Sequence, residues 1–283
     1  MNRYTYPPSF DVKRAKELGD RINDAYAQYD AFLSGGEWAP PPGYQIVGQF
    51  YAHELGKGGA LEGAQHLLKD PLDELKSIVG LIHPGQVPFG YVAQKGSDVY
   101  VIIRGTRTSL EWMDDFTSAP VPFSDGWGMT AQGFKTIYMD IIKAIVLMLQ
   151  PLAVDVEPKN YYVTGHSLGA ALAHLVSAAL NIQFKIKATT YTMSGPRAGD
   201  SAFVQAHDEA DLVTWRIFNT EDIVPTVPPA AVSVGAMNLG PMAWFLKALV
   251  GKGFEHTGYP IAVTFHYDTL SDNHSLTNLC RTL

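Results

Sequence analysis

The chain has 283 residues, of which 46% are hydrophobic and 17% charged, as is usual for a soluble globular protein. Its formal net charge of -7 repels polyanions on average, so we expect no nucleic acid partner. The single cysteine, Cys280, excludes an intramolecular disulfide, and the sequence has no cysteine and histidine spacing typical of a zinc site.

The predicted elements begin with a long helix, because apolar residues recur at helical spacing from Phe10 to Leu33. The elements after it, in chain order, are strands at Tyr44–Tyr51, Gly90–Gln94 and Val99–Ile103, a helix at Phe134–Leu149, a strand at Tyr161–Thr164, a helix at Ala170–Leu180, a strand at Ala188–Met193, a helix at Ser201–Ala210, and strands at Val213–Phe218 and Tyr259–Tyr267. Strands that alternate with helices predict an α/β fold with a mostly parallel sheet covered on both faces. We expect one domain spanning residues 1–283.

Two stretches bear on the relation of the chain to membranes. Met1–Pro8 has no apolar run, so no classical signal peptide is visible; this favours a cytoplasmic location, with a removed leader or another export route as alternatives. Ala230–Gly251 has Lys247 as its only charge, but prolines and glycines interrupt it, and only Pro241–Val250 predicts an unbroken helix. We expect a buried or crevice-covering helix there, with an interfacial helix as the alternative, and no transmembrane span.

A serine between two glycines follows the apolar strand Tyr161–Thr164 and precedes a helix of small residues. The pattern Gly165-x-Ser167-x-Gly169 is that of a nucleophile elbow, in which the serine occupies a strained turn. Glycines are required around it because neighbouring Cβ atoms would clash and would block the approach of a substrate. The pattern predicts that Ser167 is a catalytic nucleophile.

A serine hydroxyl needs a histidine to accept its proton. His256 precedes the last predicted strand, His266 lies within it, and His274 follows it in a polar loop. Reactive groups lie beyond the carboxyl ends of parallel strands, so position selects His274 as the base. We interpret His166, next to the serine, as structural.

The histidine in turn needs a carboxylate that fixes its tautomer. Asp222 follows the carboxyl end of the strand Val213–Phe218, where the acid of such a triad belongs, and this places it in the expected chain order of serine, acid and histidine. The adjacent Glu221 is the second choice, and Asp200, several residues past an earlier strand, is a weaker rival.

The oxyanion of a tetrahedral intermediate needs hydrogen-bond donors. The backbone N–H of Leu168, directly after the nucleophile, is the first that the pattern predicts. The loop Arg104-Gly105-Thr106, which follows the strand Val99–Ile103, is placed to supply a second. This chemistry requires no metal and no organic cofactor.

Together these features resemble the class 3 lipases, the α/β-hydrolase family of the filamentous-fungal triacylglycerol lipases. The resemblance is carried by blocks in a fixed order, at Val101–Thr106, Ser109–Phe116, Tyr162–Ala170, Ser194–Asp200 and Asn219–Pro229. It implies the same triad, Ser167, Asp222 and His274, and it implies that Thr106 donates both its N–H and its hydroxyl, alongside Leu168. It also implies that Asp115 helps to orient that hydroxyl.

The block near residues 109–116 resembles the short helical lid of the family. Its apolar side chains are Leu110, Trp112, Met113 and Phe116. On a helix these would form a face that covers the site in water and turns toward lipid at an interface. An ordinary core helix is the alternative interpretation.

The resemblance predicts a serine hydrolase that cleaves acylglycerol esters at a lipid–water interface. A carboxylesterase or a phospholipase A1 would use the same triad and is the first alternative. An acyltransferase and a catalytically silent binding module are further alternatives, although the presence of all three triad members disfavours a silent module.

Overall fold

The computed structural model describes residues 6–54, 85–106, 119–155, 157, 159–228 and 253–283. Within these ranges the helices are α1 (Val12–Ser34), α2 (Gln132–Ala153), α3 (Leu168–Phe184), α4 (Ser201–Glu209), α5 (Leu270–Asn273) and α6 (Leu276–Thr282). The strands are β1 (Gln45–Ala52), β2 (Val87–Lys95), β3 (Asp98–Ile103), β4 (Pro120–Pro122), β5 (Met129–Ala131), β6 (Asn160–His166), β7 (Thr189–Met193), β8 (Gly199–Asp200), β9 (Thr214–Asn219), β10 (Phe254–Glu255) and β11 (Tyr259–Val263).

The central sheet has seven strands in the order β1-β2-β3-β6-β7-β9-β11. β2 runs antiparallel to its neighbours β1 and β3, and the strands β3, β6, β7, β9 and β11 run parallel to one another. A smaller sheet has the order β10-β8-β5-β4. The α/β fold with a mostly parallel central sheet is therefore confirmed.

Alternating side chains on the strands divide the interior into two apolar layers. On β3, Val99 and Ile103 point into the layer that contains α2 and α3, whereas Tyr100 and Ile102 point into the layer that contains α1 and α6. Burying each such aliphatic side chain contributes about 1.5–3 kcal/mol. The helices therefore cover both faces of the sheet, as predicted.

The helix α2 is long and apolar enough, by length and composition, to cross a membrane. Its inner side chains, such as Phe134 and Ile141, are fully buried in the layer beneath it. This inner face packs against β1 and α3.

The last strand is shorter than predicted, because β11 ends at Val263 rather than at Tyr267. Val263 pairs with Asn219, the last residue of β9, so no partner backbone remains beyond it. The prediction that His266 lies within the strand was wrong. His266 follows the strand, and its side chain is 72% exposed.

Three histidines, His174 on α3, His207 on α4 and His256 before β11, lie close together on the face of the sheet that α3 and α4 cover. His174 Nδ1 is 3.0 Å from Thr257 Oγ1, and His207 Nε2 is 3.1 Å from Thr214 Oγ1. The rings of His174 and His207 have their centroids 6.2 Å apart. Burial lowers the pKa of all three, well below 6.5 for His174 and to about 3 for His256.

These depressed pKa values predict a loss of stability in mild acid. Unfolded histidines bind a proton near pH 6.5, whereas burial lowers the pKa of the folded ones and keeps them neutral at that pH. The free energy of unfolding should therefore hold above about pH 7 and fall below pH 6.5, by up to about 1.4 kcal/mol per pH unit for each histidine. Urea unfolding at stepped pH values measures this slope.

Substitution of His256 isolates one contribution to that slope. We expect His256→Gln to make the slope between pH 6.5 and about 4.5 shallower by roughly one histidine's share. The control is His266→Gln, which removes a histidine that is 72% exposed and lies outside this cluster. An unchanged slope in His256→Gln would contradict the prediction.

Candidate active site

Ser167 occupies the corner between the end of β6 and the start of α3. Its backbone has φ 57° and ψ -128°, a strained conformation for a residue with a side chain. Its N–H donates to Met193 O at 2.9 Å, which ties the corner to the end of β7. The corner is therefore the strained elbow that the sequence predicted.

Glycines allow three backbone segments to meet at this corner. A Cβ on Gly165 would lie 2.1 Å from Gly169 O, and a Cβ on Gly169 would lie 2.4 Å from Arg104 O. A Cβ on Gly105 would lie 2.9 Å from Ser167 Cβ. No side chain fits at these positions, so the end of β6, the first turn of α3 and the loop after β3 are in direct contact.

Asp222 and His274 form a short hydrogen bond beyond the carboxyl ends of β9 and β11. His274 Nδ1 lies 2.7 Å from Asp222 Oδ2, and Val224 N donates to Asp222 Oδ1 at 3.0 Å. The Asp222 side chain is 1% exposed and that of His274 12%. Because a carboxylate only accepts, His274 Nδ1 carries the proton and Nε2 is left free to accept one. That Nε2 is buried and has no hydrogen-bond partner among the described residues.

His166, which precedes Ser167, connects the elbow to His274. Its Nε2 lies 2.9 Å from His274 O, and the two imidazole rings have their centroids 4.7 Å apart. His274 is therefore held beside the elbow. His166 is structural, as interpreted from the sequence, but the structure that it supports is the backbone of His274.

The hydrogen bonds of His166 allow only one tautomer. Burial, together with nearby His274, lowers its pKa well below 6.5, so the ring is neutral. A carbonyl only accepts, so His166 Nε2 donates to His274 O, and Nδ1 must accept from Tyr26 Oη at 2.9 Å. Tyr26 Oη in turn accepts the Gly105 N–H at 3.0 Å.

Two buried asparagines fasten the loops that carry Asp222 and His274. Asn219 Oδ1 accepts from Glu221 N at 3.3 Å and Phe265 N at 3.0 Å, and its Nδ2 donates to Asn273 O at 3.0 Å. Asn273 bonds both backbone groups of Tyr267 through its side chain. The Asn219 side chain thus connects the turn that carries Asp222, the segment that follows β11, and the residue directly before His274.

The loop after β3 lies against the elbow, where a second oxyanion donor was predicted. Thr106 follows Gly105, which touches Ser167, and its Oγ1 is buried without a hydrogen-bond partner among the described residues. Leu168 N is the first amide of α3, at the positive end of the helix dipole. Thr106 and Leu168 therefore lie on the two backbone segments that adjoin Ser167.

The rival carboxylates and histidines have other contacts. Glu221 faces solvent, 3.5 Å from His266 Nδ1. Asp200 caps α4, where its Oδ1 accepts from Phe203 N at 3.0 Å. His256 Nε2 donates to Pro225 O at 2.7 Å.

Several predicted features lie outside the described residues. These are Asp115, the lid residues Leu110, Trp112, Met113 and Phe116, and the segment 230–251. In the part of the chain that is described, no group of three or more His, Cys, Asp or Glu side chains is placed to hold a metal ion.

Sequence reasoning missed Tyr26, Asn219 and Asn273 as parts of the site. Tyr26 belongs to the apolar face of α1 and carries no local sign of its contact with His166, 140 residues away. Asn219 stands in the same block as Asp222, and its position at the end of β9 was the one available sign. The arrangement as a whole places an oriented imidazole and backbone amides on the segments around a strained serine, and such groups can perform acyl transfer.

Comparison with curated proteins finds relatives over about half of the chain. A chloroplastic phospholipase A(1) of Arabidopsis thaliana is 30% identical over 151 residues, covering 46% of this chain and 34% of that protein. A lipase of Rhizomucor miehei is 30% identical over 151 residues, covering 52% of this chain and 41% of that protein. The chain thus spans well under two thirds of the length of either relative.

The fold and the family match agree with these relatives. The crystal structure of a lipase from Rhizopus microsporus var. chinensis superposes with a TM-score of 0.61 at 22% identity, covering 90% of this chain and 76% of that one. Residues 100–232, which include Thr106, Ser167 and Asp222, match the family model for lipase (class 3). This match, together with the fold and the site geometry, makes the chain similar to the class 3 lipases over residues 100–232.

Proposed function

We propose that the protein hydrolyses carboxylic ester bonds of acylglycerols, as a triacylglycerol lipase, through an acyl-enzyme on Ser167. The observation that carries this proposal is the 2.7 Å hydrogen bond between His274 and Asp222, held beside a serine with a positive φ. An oriented imidazole with a free Nε2 is what a serine hydroxyl requires to become a nucleophile.

The reaction follows from the positions of these groups. His274 Nε2 takes the proton of Ser167 Oγ as the oxygen attacks the ester carbonyl, and Asp222 stabilises the imidazolium. Thr106 and Leu168 donate to the oxyanion. His274 then protonates the leaving alcohol, and a water molecule repeats the sequence on the acyl-enzyme to release the fatty acid.

Exposed apolar side chains near the site support a substrate at a lipid surface. Ile223 is 41% exposed beside Asp222, and Tyr267 and Leu270, on the segment leading to His274, are 41% and 55% exposed. Exposed apolar groups at the mouth of a site favour contact with lipid.

Phospholipase A1 activity is the second candidate, and the plant relatives favour it. The Arabidopsis protein, like several similar rice proteins, is named a phospholipase A1. The same triad would release the acyl chain from the first glycerol carbon of a phospholipid. The carboxylesterase alternative requires only that substrates be soluble.

The first test uses esters of increasing acyl length at concentrations that cross their solubility limits. We expect the hydrolysis rate to rise when long-chain droplets form, and Ser167→Ala to lower kcat by about 10⁴-fold or more. The control is Ser177→Ala, which removes a buried hydroxyl from α3 and should retain activity. Near-full activity of Ser167→Ala would contradict the proposed function.

Product analysis separates the candidate substrates. We expect fatty acid release from triacylglycerol droplets to exceed release from phospholipid vesicles of matched acyl composition. The reverse order, with release from the first glycerol carbon, would make the protein a phospholipase A1. Saturation on soluble short esters without a rise at droplet formation would make it a carboxylesterase.

Asn219→Asp tests whether the hydrogen bond from Asn219 to Asn273 O positions His274. The change keeps an acceptor for Glu221 and Phe265, but it replaces the donor to Asn273 O with an oxygen that repels that carbonyl. We expect kcat/KM to fall about tenfold to a hundredfold because the imidazole shifts. The control is Asn278→Asp, whose amide donates to the nearby Asp272 O and does not touch the triad. Equal activity in the two variants would contradict this role for Asn219.

A further inference from the structure

A positively charged side chain is fully buried next to the oxyanion loop. Arg104, directly after β3, has no exposed surface, although removing a guanidinium from water is strongly unfavourable. Its Nε donates to Pro88 O at 2.7 Å, its Nη1 to Gly105 O at 2.7 Å and its Nη2 to Glu54 Oε1 at 3.1 Å. The three bonds together fix both the position and the plane of the guanidinium.

Two aromatic rings and one carboxylate hold the guanidinium from the other sides. The carbon Cζ of Arg104 lies 3.8 Å from the ring centroid of Tyr29 and 4.4 Å from that of Phe89. Tyr29 Oη donates to the second oxygen of Glu54 at 2.8 Å. A planar group with several donors suits this environment, whereas a lysine ammonium could not make the same bonds in one plane.

The bond from Arg104 to Gly105 O determines where the next amide points. In a trans peptide the C=O and the following N–H point in opposite directions. Gly105 O points toward Arg104, so the N–H of Thr106 points away from it. The preceding peptide is fixed as well, because the Gly105 N–H donates to Tyr26 Oη at 3.0 Å. Both peptide planes around Gly105 are therefore set before any substrate arrives.

We propose that Arg104 is a positioning residue that orients the Gly105–Thr106 peptide, so that the Thr106 N–H donates to the oxyanion formed at Ser167. This role rests on the proposed ester hydrolysis. Gly105 lies against Ser167, so a rotated peptide would present a carbonyl oxygen where the oxyanion forms. The interaction acts in the transition state, where negative charge develops on the carbonyl oxygen of the substrate.

Arg104→Lys is the variant that tests the proposal. We expect kcat to fall about 10²- to 10³-fold, as for loss of one oxyanion donor, with KM changed less than about threefold. Inhibition by a trifluoromethyl ketone, which adds Ser167 to form a tetrahedral oxyanion, should weaken in parallel. The pH dependence of kcat/KM should keep its midpoint, because Asp222 and His274 are untouched.

Arg14→Lys is the matched control. Arg14 is also stacked on an aromatic ring, with Cζ 4.3 Å from the centroid of Tyr162, and it donates to Asp98 at 2.7 Å. It lies near the amino ends of β3 and β6, whereas Ser167 lies at the carboxyl end of β6. We expect this variant to lose stability but to keep the wild-type kcat and inhibitor affinity.

The outcomes separate this proposal from the proposed function. Folded Arg104→Lys with wild-type kcat and inhibitor affinity would overturn the role of Arg104 and leave ester hydrolysis standing. A wild-type protein without Ser167-dependent hydrolysis would overturn both. If Arg104→Lys does not fold, the test is the NMR chemical shift of the Thr106 amide proton in the wild-type protein. A large downfield shift of this proton on formation of the ketone adduct is expected, and an unchanged shift would overturn the proposal.

Discussion

The close contact of three backbone segments at Ser167 is the constraint on which the rest of the site depends. Glycines at 105, 165 and 169 leave no side chain between the loop after β3, the end of β6 and the first turn of α3. The positions of Ser167 and of the amides beside it are therefore set by the packing of these three segments. Such a site is pre-organised, because little of it has to move when charge develops in the reaction.

Neutrality of a buried histidine is a second condition for the site. His166 accepts from Tyr26 on one side and donates to the backbone of His274 on the other, which only a single neutral tautomer permits. A positive charge on His166 would oppose the imidazolium that the proposed reaction forms on His274, whose ring is close by. Burial lowers the pKa of His166 and so keeps this charge away.

The parts of the site that follow local rules could be predicted from the sequence. The elbow around Ser167 has its own pattern, and Asp222 and His274 were selected by their positions after strands. The contact between Tyr26 and His166 spans 140 residues, and that between Asn219 and Asn273 spans 54, so neither leaves a local pattern. β11 was predicted too long because apolar residues continue after its pairing partner, β9, has ended.

The contribution of α1 has a consequence for how this domain can be divided. The stretch that carries the family signature begins at residue 100, yet Tyr26 lies outside it toward the N-terminus and His274 outside it toward the C-terminus. A segment cut at the limits of the signature would keep Ser167 and Asp222 but would lose His274 and the helix α1 that supports it through Tyr26 and His166. A substitution that shifts the packing of α1 would therefore alter the surroundings of Ser167 without changing any residue of the signature.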